Sequence, residues 1–254
     1  MDRNAVLYRI WKVADTALTV LIAAALCLCG AYAVYGLWDD HQIEAAAEAV
    51  QAELRMLKPA AGAPFTALQT INPDVRAWVT LDGTRIDHPV VQGKTNLTYL
   101  DTDLYGAFSL SGSIYLDARN AADFSQPYAL LYGHHMENGG MFGDLERYED
   151  SAFFVRHRTG TLRTPVQDYA LTVFACLLVG ASEEAIFQPE QWQQDIGGLL
   201  DYTAQHAQVL DGDVLAALRT VAAPQILALS TCSSAFTDAR TVVLAVMRPQ
   251  PTGG

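Results

Sequence analysis

The chain has 254 residues, enough for one domain with appendages, and at 51% hydrophobic against 17% charged it is too apolar to remain disordered. Its 28 acidic and 16 basic residues give a net charge of −12, which repels phosphate backbones and argues against nucleic acid as a partner. Four cysteines, at positions 27, 29, 176 and 232, have neither the density of a disulfide scaffold nor metal-site spacing with histidines.

Residues 1–15 carry Arg3, Arg9 and Lys12. Residues 16–38, from Thr16 to Trp38, contain no Asp, Glu, Lys or Arg, and Asp39 and Asp40 follow. About 20 apolar residues suffice to cross a bilayer as a helix. The positive-inside rule then puts 1–15 in the cytoplasm and everything after Trp38 outside the cell membrane. A cleaved signal peptide ending near Ala31-Tyr32-Ala33 is the main competitor, and the length of the apolar run favours a retained anchor. A lipoprotein signal fits poorly because a bulky Leu precedes both Cys27 and Cys29, and a buried core helix fits poorly with the flanking charge asymmetry.

Residues 39–64 read as a juxtamembrane helix and linker. Ile43, Ala46, Ala47, Val50, Leu54 and Leu57 recur at helical spacing, and Pro59 with the following Ala-Ala-Gly-Ala-Pro ends the pattern. A plain spacer and a helix packed on the next domain both suit this stretch.

Residues 65–249 change to short apolar runs broken by turn residues. Ala77–Leu81, Asp82-Gly83 and Thr84–Val91 read as a hairpin. Further strands are expected over Gly112–Leu116, Tyr128–Tyr132, Thr161–Thr164, Tyr169–Val179, Gln225–Ser230 and Thr241–Met247. Such a series suggests an antiparallel barrel or sandwich. One insertion interrupts it: Gln188 to about Gln208 is near helical spacing, with Pro189 suited to a first turn and Gly197-Gly198 weakening the middle. Residues 250–254 form a tail expected to fray.

Cys232 stands at the end of an apolar strand in Leu229-Ser230-Thr231-Cys232, a rigid perch for a nucleophile. Cys176 lies inside an apolar run, where a buried and inert thiol is expected. Attack by Cys232 requires its thiolate, which a nearby cation or histidine favours. Tyr132-Gly133-His134-His135 follows another strand, and in extended chain the two histidines point to opposite sides, so one of them faces Cys232. His41, His88, His157 and His206 read as ordinary surface or turn residues. Arg240 opens the strand that returns from Cys232, and a hairpin would bring it back beside the thiol. There it could stabilise an oxyanion, or it could be a surface residue paired with Asp238.

Together these residues resemble the sortase family, class B in particular. The family's Thr-Leu-x-Thr-Cys signature appears as Ala228-Leu229-Ser230-Thr231-Cys232, with Ala228 in place of the usual Thr, and the downstream Arg and the Tyr-Gly-His strand end match Arg240 and Tyr132-Gly133-His134. Similar segments run from Ile71 to Met247. The resemblance implies a mainly β fold: a closed barrel of about eight strands with N-terminal helices and an inserted helix. It implies a membrane-anchored cysteine transpeptidase that needs no metal or organic cofactor, in which Cys232 is the nucleophile, His134 the acid and base, and Arg240 the oxyanion or substrate-positioning group, with His135 a bystander. It also implies contacts to a sorting-signal peptide from Asn96, Leu100, Tyr132 and Ser230, cleavage after Thr, and transfer to an amine of a peptidoglycan precursor or a pilin Lys. A cysteine hydrolase on the same residues, and a non-catalytic exported binding domain, are the alternatives.

Overall fold

The computed structural model describes residues 3–232 and 237–251. Residues 1–45 and 46–254 are separate compact units. In the first, helix α1 (Arg3–Arg55) holds a 33-residue stretch, Leu7–Asp39, long and apolar enough to cross a membrane or to serve as a signal sequence. Its last turns belong to the second unit. There Leu54 is buried against Phe65, Leu68, Val75 and Trp78, with Val50 and Leu57 alongside. Of the two readings of the juxtamembrane stretch, the structure therefore has the packed helix at this end.

The second unit is built on nine strands: β1 (Val75–Leu81), β2 (Asp87–Val91), β3 (Ile114–Leu116), β4 (Tyr128–Tyr132), β5 (Thr159–Arg163), β6 (Asp168–Gly180), β7 (Ala207–Leu210), β8 (Ile226–Cys232) and β9 (Ala239–Pro249). The order β5-β1-β2-β3-β4-β8-β9-β6 closes on itself because β6 also pairs with β5, giving an eight-stranded barrel with β7 added to β6. Alternate residues face opposite sides of a strand. Ala129 and Leu131 of β4 accordingly join the core with Phe142, Tyr148, Leu229 and Val243. Tyr128 and Leu130 point the other way, into a second apolar layer with Phe174, Leu199, Leu200 and Leu244. Both faces are buried, which is why these strands read as continuous apolar runs.

Four details depart from the sequence expectation. The barrel is not purely antiparallel: β2–β3 and β4–β8 are parallel pairs, each reached by a long crossover. The expected two-residue hairpin widens, since Thr84 Oγ1 donates to the Leu81 carbonyl and accepts from Ile86 N–H, so β2 begins only at Asp87.

Third, the single helix expected over Gln188–Gln208 is broken. A short helix α2 (Glu184–Phe187) and a 3-10 turn (Pro189–Trp192) precede α3 (Gly197–His206), and β7 and α4 (Gly212–Leu218) follow. The Asp195 carboxylate accepts from Gly197 N–H, so Gly197 starts a helix rather than kinking one. A Cβ at Gly198 would collide with the Trp192 ring, so the glycine is what lets the indole pack there. His88 also differs from its surface assignment. It is 2% exposed, with Nδ1 2.7 Å from Gln51 Oε1 of α1.

Candidate active site

A cleft of about 250 Å³ opens at the ends of β4 and β8. Its floor is formed by Tyr132 of β4, by Gly133 just after it, and by Ser230 and Thr231 from β8. Parallel pairing sets Tyr132 opposite Ser230, and the Gly133 N–H donates to the Ser230 carbonyl at 3.1 Å, so the two strand ends are locked together. A Cβ at Gly133 would overlap Ile114 and the Phe142 ring, so only glycine lets the chain turn out of the core at this point.

That turn delivers His134 into the cleft. Its backbone carbonyl accepts from Phe142 N–H at 3.0 Å, and its Nε2 lies 2.6 Å from the Leu100 carbonyl. A carbonyl only accepts, so Nε2 carries the proton in this pairing. His135 goes elsewhere, pairing in a bridge with Met141 and placing Nδ1 3.8 Å from Glu146. The alternation expected of adjacent residues thus separates the two imidazoles.

On the other side β8 and β9 pair antiparallel, with Cys232 directly opposite Arg240. The Arg240 side chain lines the cleft, and its Nη1 donates to the Ala239 carbonyl at 2.9 Å. Among the described residues it forms no ion pair with Asp238. The backbone of Cys232 is described and its side chain lies outside the described set. Cys176, by contrast, is fully buried, and burial pushes its thiol pKa well up.

Of the residues expected to touch substrate, Leu100, Tyr132 and Ser230 line this same cleft. Ser230 is 1% exposed, and its buried Oγ has no hydrogen-bond partner among the described residues. Asn96 does not line it. Its side-chain NH2 donates to Asp117 Oδ2 at 2.9 Å and its side-chain carbonyl accepts from Ala118 N–H, so among the described residues it is linked to the cleft through Asp117 and Tyr132. That carboxylate also accepts from the Tyr132 hydroxyl at 3.0 Å. Burial alone would raise the Asp117 pKa, but Arg119 and the other donors bring it below the ordinary value. Burial, and then the Asp117 charge, push the Tyr132 hydroxyl far up, so it stays protonated and donates.

Two aromatic rings in the wall escaped the sequence reading. Tyr115 stacks on Tyr132 at 5.2 Å and Phe187 lies across the same ring at 6.2 Å. Tyr115 sits in a strand that was legible as such. Phe187 reaches the cleft only because the insertion after β6 folds back over it, which no local pattern announces. Among the described residues no group of three or more metal-ligating side chains occurs.

The arrangement suits acyl transfer to and from a thiol: an imidazole, a guanidinium and the cysteine strand end meet at one cleft with apolar walls. Comparison with known proteins points the same way. No protein-family model matches the chain. It is 30% identical over 236 residues to sortase B of Staphylococcus aureus, spanning 91% of this chain and 95% of that one. It is 37% identical over 108 residues to sortase B of Listeria monocytogenes, spanning 42% of this chain and 44% of that one. Among solved structures, a Staphylococcus aureus sortase B–substrate complex superposes with a TM-score of 0.71 at 27% identity, over 82% of this chain and 99% of that one. A Streptococcus pyogenes class B sortase involved in pilus biogenesis gives 0.66 at 34%, over 72% and 97%.

Proposed function

The chain belongs to the class B sortases, which are cysteine transpeptidases, and from that premise we propose that Cys232, His134 and Arg240 carry out the transfer on a sorting-signal peptide seated in the cleft. The Cys232 thiolate attacks the carbonyl carbon of a Thr in the motif. Arg240 faces the developing oxyanion. The C–N bond to the next residue breaks as His134 gives its proton to the departing amine, and a thioester to Cys232 remains. An acceptor amine then attacks the thioester, its proton passes to His134, and the thiolate leaves. With Nε2 bound to the Leu100 carbonyl, Nδ1 is the nitrogen that exchanges the proton.

Leu100, Tyr132 and Ser230 contact the peptide, and Asn96 acts from behind them through Asp117. The acceptor is an amine of a peptidoglycan precursor or a pilin Lys. Residues 16–38 anchor the protein, with 1–15 cytoplasmic, 39–64 as helix and linker, and 65–249 as an extracellular catalytic domain followed by a short tail.

One observation carries most of this reading: the Cys232 position is held opposite Arg240 across one hairpin, and Arg240 shares a cleft with His134, which comes from a strand about a hundred residues earlier in the chain. The test is a labelled sorting peptide incubated with and without an amine acceptor. Transfer to the amine, with hydrolysis as the slow alternative, supports the reading. Hydrolysis indifferent to every amine offered identifies a hydrolase instead.

A further inference from the structure

Arg119 lies outside the cleft and belongs to none of the motifs discussed above, yet it touches both sides of it. Its Nε and Nη2 grip Asp117 at 2.8 and 2.7 Å. Asp117 is fully buried, so its charge needs compensation inside the protein. Arg119, its own backbone N–H, Asn96 and the Tyr132 hydroxyl supply the donors. Through Asp117 the guanidinium thereby fixes Tyr132 on the barrel side.

The same guanidinium reaches the opposite wall. Nη2 donates to the Phe187 carbonyl at 2.6 Å, and Nη1 stands 3.3 Å from Glu190 of the 3-10 turn. The insertion that carries Phe187 is otherwise joined to β4 through the Tyr128 hydroxyl, which donates to the Ile186 carbonyl. Both wall rings, Tyr132 and Phe187, are therefore referenced to one planar group. An isolated exposed ion pair would contribute little. Here one partner has no solvent access, and the fork is shared between a carboxylate and a main-chain carbonyl of a different element.

We propose that Arg119, held by Asp117, is a positioning residue that sets the gap between Tyr132 and Phe187 and so the fit of the sorting peptide. The proposal rests on the cleft being the peptide site. Lysine cannot replace the arginine, because a single ammonium cannot hold two carboxylate oxygens and a carbonyl in one plane. Arg119 acts on binding and not on the thiol, since no contact of its side chain reaches His134, Arg240 or Thr231 among the described residues.

The test compares the detergent-solubilised full chain with Arg119→Lys and Arg119→Ala. With a sorting peptide, both variants should raise KM by about tenfold while kcat, and the rate of Cys232 alkylation by iodoacetamide, stay within about twofold. Without any peptide, amide hydrogen exchange across residues 181–192 should quicken by about tenfold, with the β4 amides unchanged. Unchanged exchange in both variants overturns the clamp, as does an unchanged KM where the wild type turns over. Parallel loss of kcat, alkylation and melting temperature overturns it too, in favour of a merely structural pair. A wild type that turns over no sorting peptide overturns the transpeptidase reading itself, and the exchange result still decides the clamp.

Discussion

At the scale of single residues, the site depends on how little freedom its main chain has. Cys232→Ala should abolish turnover, and His134→Ala and Arg240→Ala should each lower kcat/KM by about a hundredfold or more, because acid–base and oxyanion contributions are of that size. His135→Ala, on a side chain turned toward Glu146, should have a mild effect. Peptide-cleavage kinetics on the four variants check this, and a dead His135 variant beside an active His134 variant would reverse the assignment. Gly112 makes a less obvious prediction. Its φ is +53°, and a Cβ there would run into the carbonyl oxygen of Leu100, the atom to which His134 Nε2 is bound. Gly112→Ala should therefore cost about tenfold in kcat/KM through misplacement of the imidazole, and lower the melting temperature as well. Full activity with a lowered melting temperature would mean that the Leu100 carbonyl does not orient the histidine.

At the scale of elements, the end of α1 is tied to β2 in a way that makes the fold sensitive to acid. His88 is buried against Gln51, and burial, reinforced by the Arg55 charge, lowers its pKa to about 4. An unfolded chain takes up that proton near the ordinary value of 6.5. Below that pH the unfolded state binds more protons than the folded one, so the stability due to neutral His88 is complete above about 6.5 and is lost as pH falls toward about 4. The neighbouring Asp87 acts in the same direction. Although burial opposes it, hydrogen bonds from Lys58, Trp78 and Thr80 hold its pKa below the ordinary value, so its contribution also fades in acid. Melting temperatures measured from pH 7 down to 4.5 should fall more steeply for the wild type than for His88→Leu. Equal slopes would show that His88 titrates normally in the folded state.

The elements also show how far local pattern reaches. The strand Tyr128–Tyr132 was legible to the residue because its apolar run and following Gly are local signals. The positions of Cys232 and His134 in the fold were legible for a related reason: Cys232 ends β8 and His134 follows the end of β4, and a strand end is visible in sequence. What stayed hidden was set by contacts across the chain. The insertion breaks where Asp195 accepts from Gly197 N–H and where Trp192 needs the space left by Gly198. The parallel pairings follow from crossovers rather than from any property of β3 or β8 alone. Buried His88 could not be told from a surface histidine because its partner, Gln51, lies on a helix 37 residues earlier. The bond from Asn96 to Asp117 was hidden for the same kind of reason, since the two lie 21 residues apart.

At the scale of the whole molecule, a catalytic unit follows a helix apolar enough to span a bilayer. Anchoring would hold the cleft where exported proteins and lipid-linked amines meet, raising their effective concentration. Removing residues 1–38 should leave cleavage of a soluble peptide intact and lower transfer to a membrane-embedded acceptor. Vesicle assays with the full and shortened chains measure both, and equal transfer by the two would remove the anchor from the mechanism. The central claim is covalent, a thioester on Cys232 formed within reach of His134 and Arg240. Intact-protein mass spectrometry of the full chain, incubated with sorting peptide and no amine, addresses it most directly. The expected result is an added mass equal to the peptide up to its Thr, located on Cys232, discharged by an added amine and missing from Cys232→Ala. Peptide cleavage with no adduct at any time, or with the adduct on another residue, would contradict it.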